Sequence, residues 1–449
     1  MSDPTRLFVK ATGATNPLDQ KYDIFQTVNN SRVNLCGFSY FGELGGININ
    51  TATSGIDLRG PDDPAPNPPV KPPKYSLTFA EYLDKLRAAK VNLVRIFLFE
   101  EYQYRYYPFT FDVGEGKFNL HRISAIYLSR LKNFVETARA RGIIVCISFF
   151  SKRSLQSPAF ATVNPFYFEK NTNDLLVDDQ NNPVTVGINE ICKIEQPPAP
   201  NTLYNPGWTA RQRLWWIERN FITQIVNATK DYWNVTYEPF NEPFANIPGI
   251  IDWFVTVTTW LKNLLWDPSM NRRSRLVSIN AGDDLIDNTN FLSRLLPANQ
   301  PPLFDVFDFH GGGAGVSSQW GGPTGTGTGK ICPLTPPPPA QLVDQIIHGA
   351  TDDGRHQKGI LEAMDRFKSR PVALIFNTDA HYWAQRLVTP YLEEVLNVDG
   401  SFSYRWSFEF LNAVSDLNCN NQLLPTTSGL DQRLAKISAA RNKGRITVF

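Results

Sequence analysis

Through most of its 449 residues the chain alternates between two hydrophobic rhythms, and that alternation narrows the folds open to it. Short runs of β-branched and aromatic residues, the pattern of strands buried on both faces, are followed by longer segments with apolar residues at helical spacing. Strand-like Arg32–Phe38 precedes helix-like Thr78–Lys90, where Phe79, Tyr82, Leu83 and Leu86 share one face. Val91–Phe97 precedes Ile123–Arg141, and Ile143–Phe149 precedes Thr209–Lys230. A strand opening at Trp233 runs into Glu242 and precedes Ile250–Trp266; Arg275–Ile279 precedes a short helix ending at Leu296. Leu303–Phe309 precedes a helix split around Asp352-Asp353-Gly354 into Gln341–Ala350 and Gln357–Phe367. Val372–Phe376 with a helix including Leu387–Leu396, and Phe402–Phe408 with Asp431–Ala440, close the series.

Eight such pairs without a sequence repeat predict an α/β fold, a (β/α)8 TIM barrel of parallel strands joined by crossover helices. The whole chain, 1–449, reads as one barrel domain, and residues 7–31 as a small N-terminal hairpin, so that 1–31 is an extension within it. The long connections fall after strands one, three and six: the proline-rich Pro61–Pro73, the stretch Phe150–Trp208, and a glycine-rich segment from His310 to Pro336–Pro339. That places the long loops on the C-terminal face, where barrels of this kind keep their sites, and loops of such length are uncommon unless they serve one.

Composition removes several function classes. Lys plus Arg number 44 against 43 Asp plus Glu, a net charge of +1, so no global field points to nucleic acid or an anionic membrane. No apolar run reaches the roughly 18 residues of a membrane span. The opening Met1-Ser2-Asp3-Pro4-Thr5-Arg6 lacks the basic and apolar regions of a Sec signal, which suggests a cytoplasmic protein or one exported by another route. Cys36, Cys146, Cys192, Cys332 and Cys419 are scattered without metal spacing and read as mostly reduced, with a Cys192–Cys332 disulfide the open alternative for an exported protein. Asp305, Asp308 and His310 are split between faces by strand alternation, so no metal and no cofactor is expected. Asn29, Asn227 and Asn234 begin N-glycosylation triplets, a pattern that means little without a secretory signal.

The chemistry concentrates at Trp233-Asn234-Val235-Thr236-Tyr237-Glu238-Pro239-Phe240-Asn241-Glu242-Pro243. A carboxyl at the end of a buried strand, with an amide beside it and aromatic residues around it, has the ingredients of a general acid with a raised pKa. The bland alternative makes Glu238 and Glu242 solvated turn carboxylates flanking two prolines. Arg95, set among apolar residues of the Val91–Phe97 strand, must be paired if buried, and is either a site residue or half of a structural salt bridge to a strand-end acid. His310 is a sugar contact or a hydrogen-bonded strand-end histidine, and Asp283 and Asp284, ending strand five, read as caps to the next helix, with subsite residues the alternative. Trp208, Trp320, Trp383 and Trp406, with Tyr102, Tyr104, Tyr106 and Tyr107, fall on or near the mouth loops. Together they favour an open carbohydrate groove. Gly311–Gly315 and Gly321–Gly329 lack the Lys-Ser/Thr of a phosphate loop and read as plain loop.

With Val94-Arg95-Ile96 on strand two, Asn241-Glu242-Pro243 after strand four, His310 ending strand six and Trp406 on strand eight, the chain resembles the clan A glycoside hydrolases, closest to the family-five cellulase and mannanase type. The likeness covers nearly the whole chain in element order but rests on a handful of residues. It implies a retaining hydrolase of a β-linked oligo- or polysaccharide, with Glu242 as acid/base, Asn241 on the sugar 2-hydroxyl, Arg95 supporting a nucleophile, and Trp383 and Trp406 against the sugar. The family's nucleophile is a Glu ending strand seven, and here Ile375-Phe376-Asn377-Thr378-Asp379 has none. Asp379 is the substitute the sequence offers. The family's strand-three His is also missing, since Ser148-Phe149-Phe150-Ser151 occupies that end. The alternative is a barrel without its nucleophile that binds glycan or serves in assembly. Oligomeric state has no signature in the sequence.

Overall fold

The computed structural model describes residues 6–11, 22–27, 29–30, 33, 37–40, 56–59, 75–88, 92–98, 107–151, 155, 164–173, 188–196, 203–241, 243, 247–268, 272–281, 289–297, 302–310, 373–377 and 447–448. They belong to two compact units, one built chiefly on Arg95–Val277 and the other chiefly on Ser278–Phe449.

The chain opens with β1 (Leu7–Ala11) paired antiparallel to β2 (Tyr22–Gln26), the expected hairpin. The next strand, β3 (Gly37–Tyr40), begins where the sequence pattern ended one. Two short strands that the sequence reading did not single out, β4 (Ile56–Arg59) and β5 (Tyr75–Thr78), pair with each other in parallel. Helix α1 (Phe79–Ala88) follows at once, and its start is written in the sequence. Thr78 Oγ accepts the Glu81 N–H at 3.2 Å while the Glu81 carboxylate accepts the Thr78 N–H at 2.7 Å. This reciprocal capping satisfies donors that the first turn leaves unpaired.

Strand β6 (Leu93–Phe97) is buried at every position. The Tyr-rich segment after it leads to a hairpin, β7 (Phe109–Asp112) and β8 (Lys117–Ile123), where only loop was expected. Ser124 then caps α2 (Ala125–Arg139), which buries Phe134 edge-on against Phe79 of α1 at 5.3 Å between ring centroids. Strand β9 (Ile144–Ser151) is wholly buried. The long connection after it contains a 3₁₀ turn, Phe168–Lys170, and a single helical turn, α3 (Ile188–Ile191). Helix α4 (Ala210–Thr229) starts with a second reciprocal cap, Thr209 with Gln212, and leads into β10 (Val235–Asn241), also buried throughout. Helix α5 (Ile250–Leu265) follows. Its cap is Gly249, at φ 80°; a Cβ there would lie 2.5 Å from the Cys192 carbonyl oxygen. Only glycine meets both conditions.

These strands stand in the order β10-β9-β6-β3, with β9 and β10 parallel and Glu238 beside Ser148, Asn241 beside Ser151. Burial on both faces is the mark of a parallel sheet covered on each side. The rings of Phe149, Phe150, Phe221, Tyr237, Phe240 and Trp253 pack against one another about this sheet, with Phe149 and Tyr237 stacked at 5.9 Å. Burial pushes the Tyr237 phenol up in pKa, and its hydroxyl is shared with Thr229 at 2.8 Å. Asn234 is fully buried, its amide donating to the carbonyls of Val135 and Ile143 at 3.1 and 2.9 Å. The Cys192 thiol is free and buried, and Cys146 is buried within β9.

A short antiparallel ribbon, β11 (Trp266–Asp267) with β12 (Arg272–Arg273), follows α5. The second unit holds β13 (Ser278–Ala281), α6 (Thr289–Leu295), β14 (Val306–His310), β15 (Ala373–Asn377) and β16 (Thr447–Val448). Strands β13, β14, β15 and β16 are parallel in chain order. Strands five and six thus start about three residues later than the sequence pattern has them, and the partner on the far side of β15 is Thr447–Val448. The architecture is α/β with parallel strands. Two separate four-stranded sheets, and no closed barrel, are present among the described residues. The expected elements Gln341–Ala350, Gln357–Phe367, Leu387–Leu396, Phe402–Phe408 and Asp431–Ala440 lie outside them, as does Pro61–Pro73. No described helix is long and apolar enough to cross a membrane.

Candidate active site

Across β6, β9 and β10, one charged network is buried inside otherwise apolar strands and reaches the C-terminal ends of β9 and β10 at Ser151 and Asn241. Arg95 is 1% exposed and Glu238 0%, and the two form an ion pair. Arg95 Nε donates to Glu238 Oε2 at 3.1 Å and an Nη donates to Oε1. Neighbouring strands lie about 4.8 Å apart, so β6 and β10, with β9 between them, are separated by roughly 9.5 Å. Only a long side chain spans that gap, and Arg95 does so over Ser148, whose hydroxyl donates to Glu238 Oε1 at 2.7 Å. Both carboxylate oxygens are therefore satisfied, which is what a buried ion pair needs to be tolerated. The Phe97 ring lies 4.6 Å from the guanidinium carbon, in the range of a cation–π contact.

The same Nη of Arg95 donates to Asn241 Oδ1 at 2.7 Å, and Asn241 Nδ2 donates to Ser151 Oγ at 3.3 Å. Asn241 stands three residues beyond Glu238, and strict alternation would send the two to opposite faces. Arg95 bonds both, so the end of β10 departs from a regular pleat. Pro239, which has no N–H to give the ladder, sits between them. The result is that Asn241, directly before Glu242 in the sequence, is gripped on both sides of its amide.

Two predicted site residues, Arg95 and Asn241, are thus brought together. The reading of Glu238 as a solvated turn carboxylate is corrected: it lies within the strand, fully buried, and is the acid that pairs with Arg95. Arg95 makes a buried ion pair with Glu238, which lies mid-strand rather than at a strand end, and the same guanidinium holds Asn241. In the sequence Ser148 and Ser151 signal only the missing strand-three histidine, not the contacts they make here. The available signal was a pair of opposite charges, each embedded in an apolar strand run, which burial obliges to find one another. His310 ends β14, where it pairs in register with Asn377 of β15. Glu242, Asp379, Trp383 and Trp406 lie outside the described residues. Among the described residues no group of His, Cys, Asp and Glu is placed to hold a metal ion.

A second buried carboxyl lies in the helical layer. Glu218 of α4 is 1% exposed and accepts a hydrogen bond from Trp253 Nε1 of α5 at 2.9 Å. Burial raises its pKa well above the ordinary carboxyl range, against the smaller lowering effect of that bond. Burial, with Glu218 as the neighbouring charge, likewise pushes the Cys192 thiol up.

No protein-family model and no curated protein matches the chain. Among solved structures it is similar to an endo-1,4-β-mannanase from Rhizomucor miehei at 11% identity and TM-score 0.40, covering 83% of this chain and 82% of that one. A family 5 glycoside hydrolase from Prevotella bryantii matches at 11% identity and TM-score 0.41, covering 90% and 95%. One from Bacteroides vulgatus matches at 10% identity and TM-score 0.30, covering 64% of this chain and only 42% of that one. The neighbours are glycoside hydrolases of the family 5 and mannanase type, and TM-scores at this level do not assign their activity to this chain.

Proposed function

We propose that the chain is a retaining glycoside hydrolase of the (β/α)8 kind acting on a β-linked oligo- or polysaccharide, with Glu242 as general acid/base and Asp379 as nucleophile. The supporting observation is the double grip on Asn241 by Arg95 and Ser151 at the end of a buried parallel strand. It fixes the backbone immediately before Glu242, as a proton donor requires if it is to meet a glycosidic oxygen in one geometry. Asn241 serves the sugar hydroxyl beside the reacting carbon, and His310, Trp383 and Trp406 line the groove. Retention calls for the two carboxyl groups to stand about 5–5.5 Å apart.

One observation favours a second reading, a glycan-binding barrel without turnover: β15 ends on Asn377, and no carboxyl occurs in Ala373–Asn377. Hydrolysis of β-linked aryl glycosides and of manno- and gluco-oligosaccharides separates the two. For the enzyme, Glu242→Gln lowers turnover about 10²–10⁴-fold on poor leaving groups and less on activated ones. Asp379→Ala abolishes it, and added azide returns a glycosyl azide. Glycan binding with no turnover in the unaltered chain leaves the second reading standing.

A further inference from the structure

We propose that His121 is a pH-sensitive staple, which holds the segment before α4 against the β7–β8 hairpin while its ring is neutral and releases it on protonation. The imidazole stacks on Tyr204 at 4.6 Å between centroids with the planes 21° apart. Tyr204 is in turn packed edge-on against Trp208 and Trp216. At the ring's edge, Asn173 Nδ2 lies 2.9 Å from His121 Nδ1.

The orientation of that amide is fixed independently. Asn173 Oδ1 accepts the Leu120 N–H at 2.7 Å, and the Asn173 N–H is itself held by Asn171 Oδ1 at 3.1 Å. An amide whose oxygen is committed to a backbone donor can present only its NH₂ to the histidine. Nδ1 must therefore accept, and the ring is the neutral tautomer with its proton on Nε2. Protonation at Nδ1 sets donor against donor, and rotating Asn173 to relieve it sacrifices the Leu120 bond.

The charged surroundings act in the same direction. Burial and the adjacent Arg122 lower the His121 pKa from its ordinary 6.5. From α4 the histidine is held by Asn220, whose amide donates to the His121 carbonyl at 3.3 Å. That helix carries Arg213 and Arg219, the 3₁₀ turn carries Glu169 and Lys170, and β8 itself carries Lys117; burial and Arg122 are the causes of the shift. Since the stapled form disfavours the charged ring, its stability is complete above pH 6.5 and is lost as the pH falls toward the lowered value.

Histidine NMR of the whole chain with ¹³C at Cε1 and labelled tyrosine rings tests this, with His121→Gln assigning the signal. His121 is expected to titrate below 6.5, and the Tyr204 ring to lose its stacking displacement with the same midpoint. In Asn173→Asp the carboxylate accepts the new proton, so the midpoint rises by about 1 unit or more and the stack survives acidification. In His121→Gln, the Tyr204 signal is flat from pH 7.5 to 5. A wild-type midpoint at or above 6.5, a Tyr204 signal indifferent to that titration, or an unmoved midpoint in Asn173→Asp overturns the proposal.

Discussion

Glu238 and Glu218 are the same residue type at the same depth, yet the chain accommodates them in opposite ways. Glu238 sits in a strand among side chains that were placed for it: a guanidinium, a serine hydroxyl and, through the guanidinium, an asparagine. Glu218 sits between helices, where one indole N–H is the polar partner. Removing a carboxylate from water costs several kcal/mol, and only a partner with both charge and hydrogen bonds offsets it. The strand carboxyl has such a partner; the helix carboxyl avoids the cost by holding its proton. Burial alone therefore does not identify a functional acid. What distinguishes the Glu238 region is that its neighbours converge, and that they hold a further residue, Asn241, beyond the pair itself.

The largest effect that would break this contrast is Arg95→Met. It should destabilise the fold by about 3–5 kcal/mol by stranding Glu238, while the double variant with Glu238→Leu regains most of the loss. Urea unfolding of the single and double variants measures the coupling, and additive losses would show the pair to be incidental. Next is Ser148→Ala, which removes one donor to a charged oxygen and should cost about 1.5–3 kcal/mol in the same assay, with the Arg95 pair intact.

The smallest change is Glu218→Gln. The amide oxygen keeps the Trp253 bond, so stability near pH 5 should move by less than about 1 kcal/mol. The pH profile is what changes. In the native chain the unfolded carboxyl loses its proton around 4.5 while the folded one keeps it, so the unfolded state binds fewer protons and stability falls as pH rises above that value. Glu218→Gln should flatten that decline in thermal melts between pH 5 and 8; an unchanged slope would place its origin elsewhere.

Much of this architecture was legible because its causes are local. Thr78 with Glu81 and Thr209 with Gln212 carry their helix starts in four residues, and α1, α2, α4 and α5 agree with the sequence ranges to within two residues or so at most ends. The β7–β8 hairpin is not legible, because its buried residue Phe109 takes its cover from Phe166 and Phe221, rings far along the chain. In the site, Arg95 and Asn241 stand out by type, whereas Glu238, like Glu242, also reads as a solvated turn carboxylate beside a proline. Its role depends on Arg95, more than a hundred residues away in the chain, and no local pattern records that meeting.

The burial of Asn234 has a consequence for how the chain can be made. Asn234-Val235-Thr236 is a sequon, and the atom a glycan would occupy is the same Nδ2 that donates to Val135 and Ile143. Oligosaccharide transfer acts on the nascent chain, before any strand has formed to hide it. In a secretory host, synthesis therefore becomes a race between modification and closure of the β9–β10 seam, and every molecule that loses it carries a sugar where the sheet has no room. Bacterial cytoplasm, which lacks the transferase, removes the race altogether.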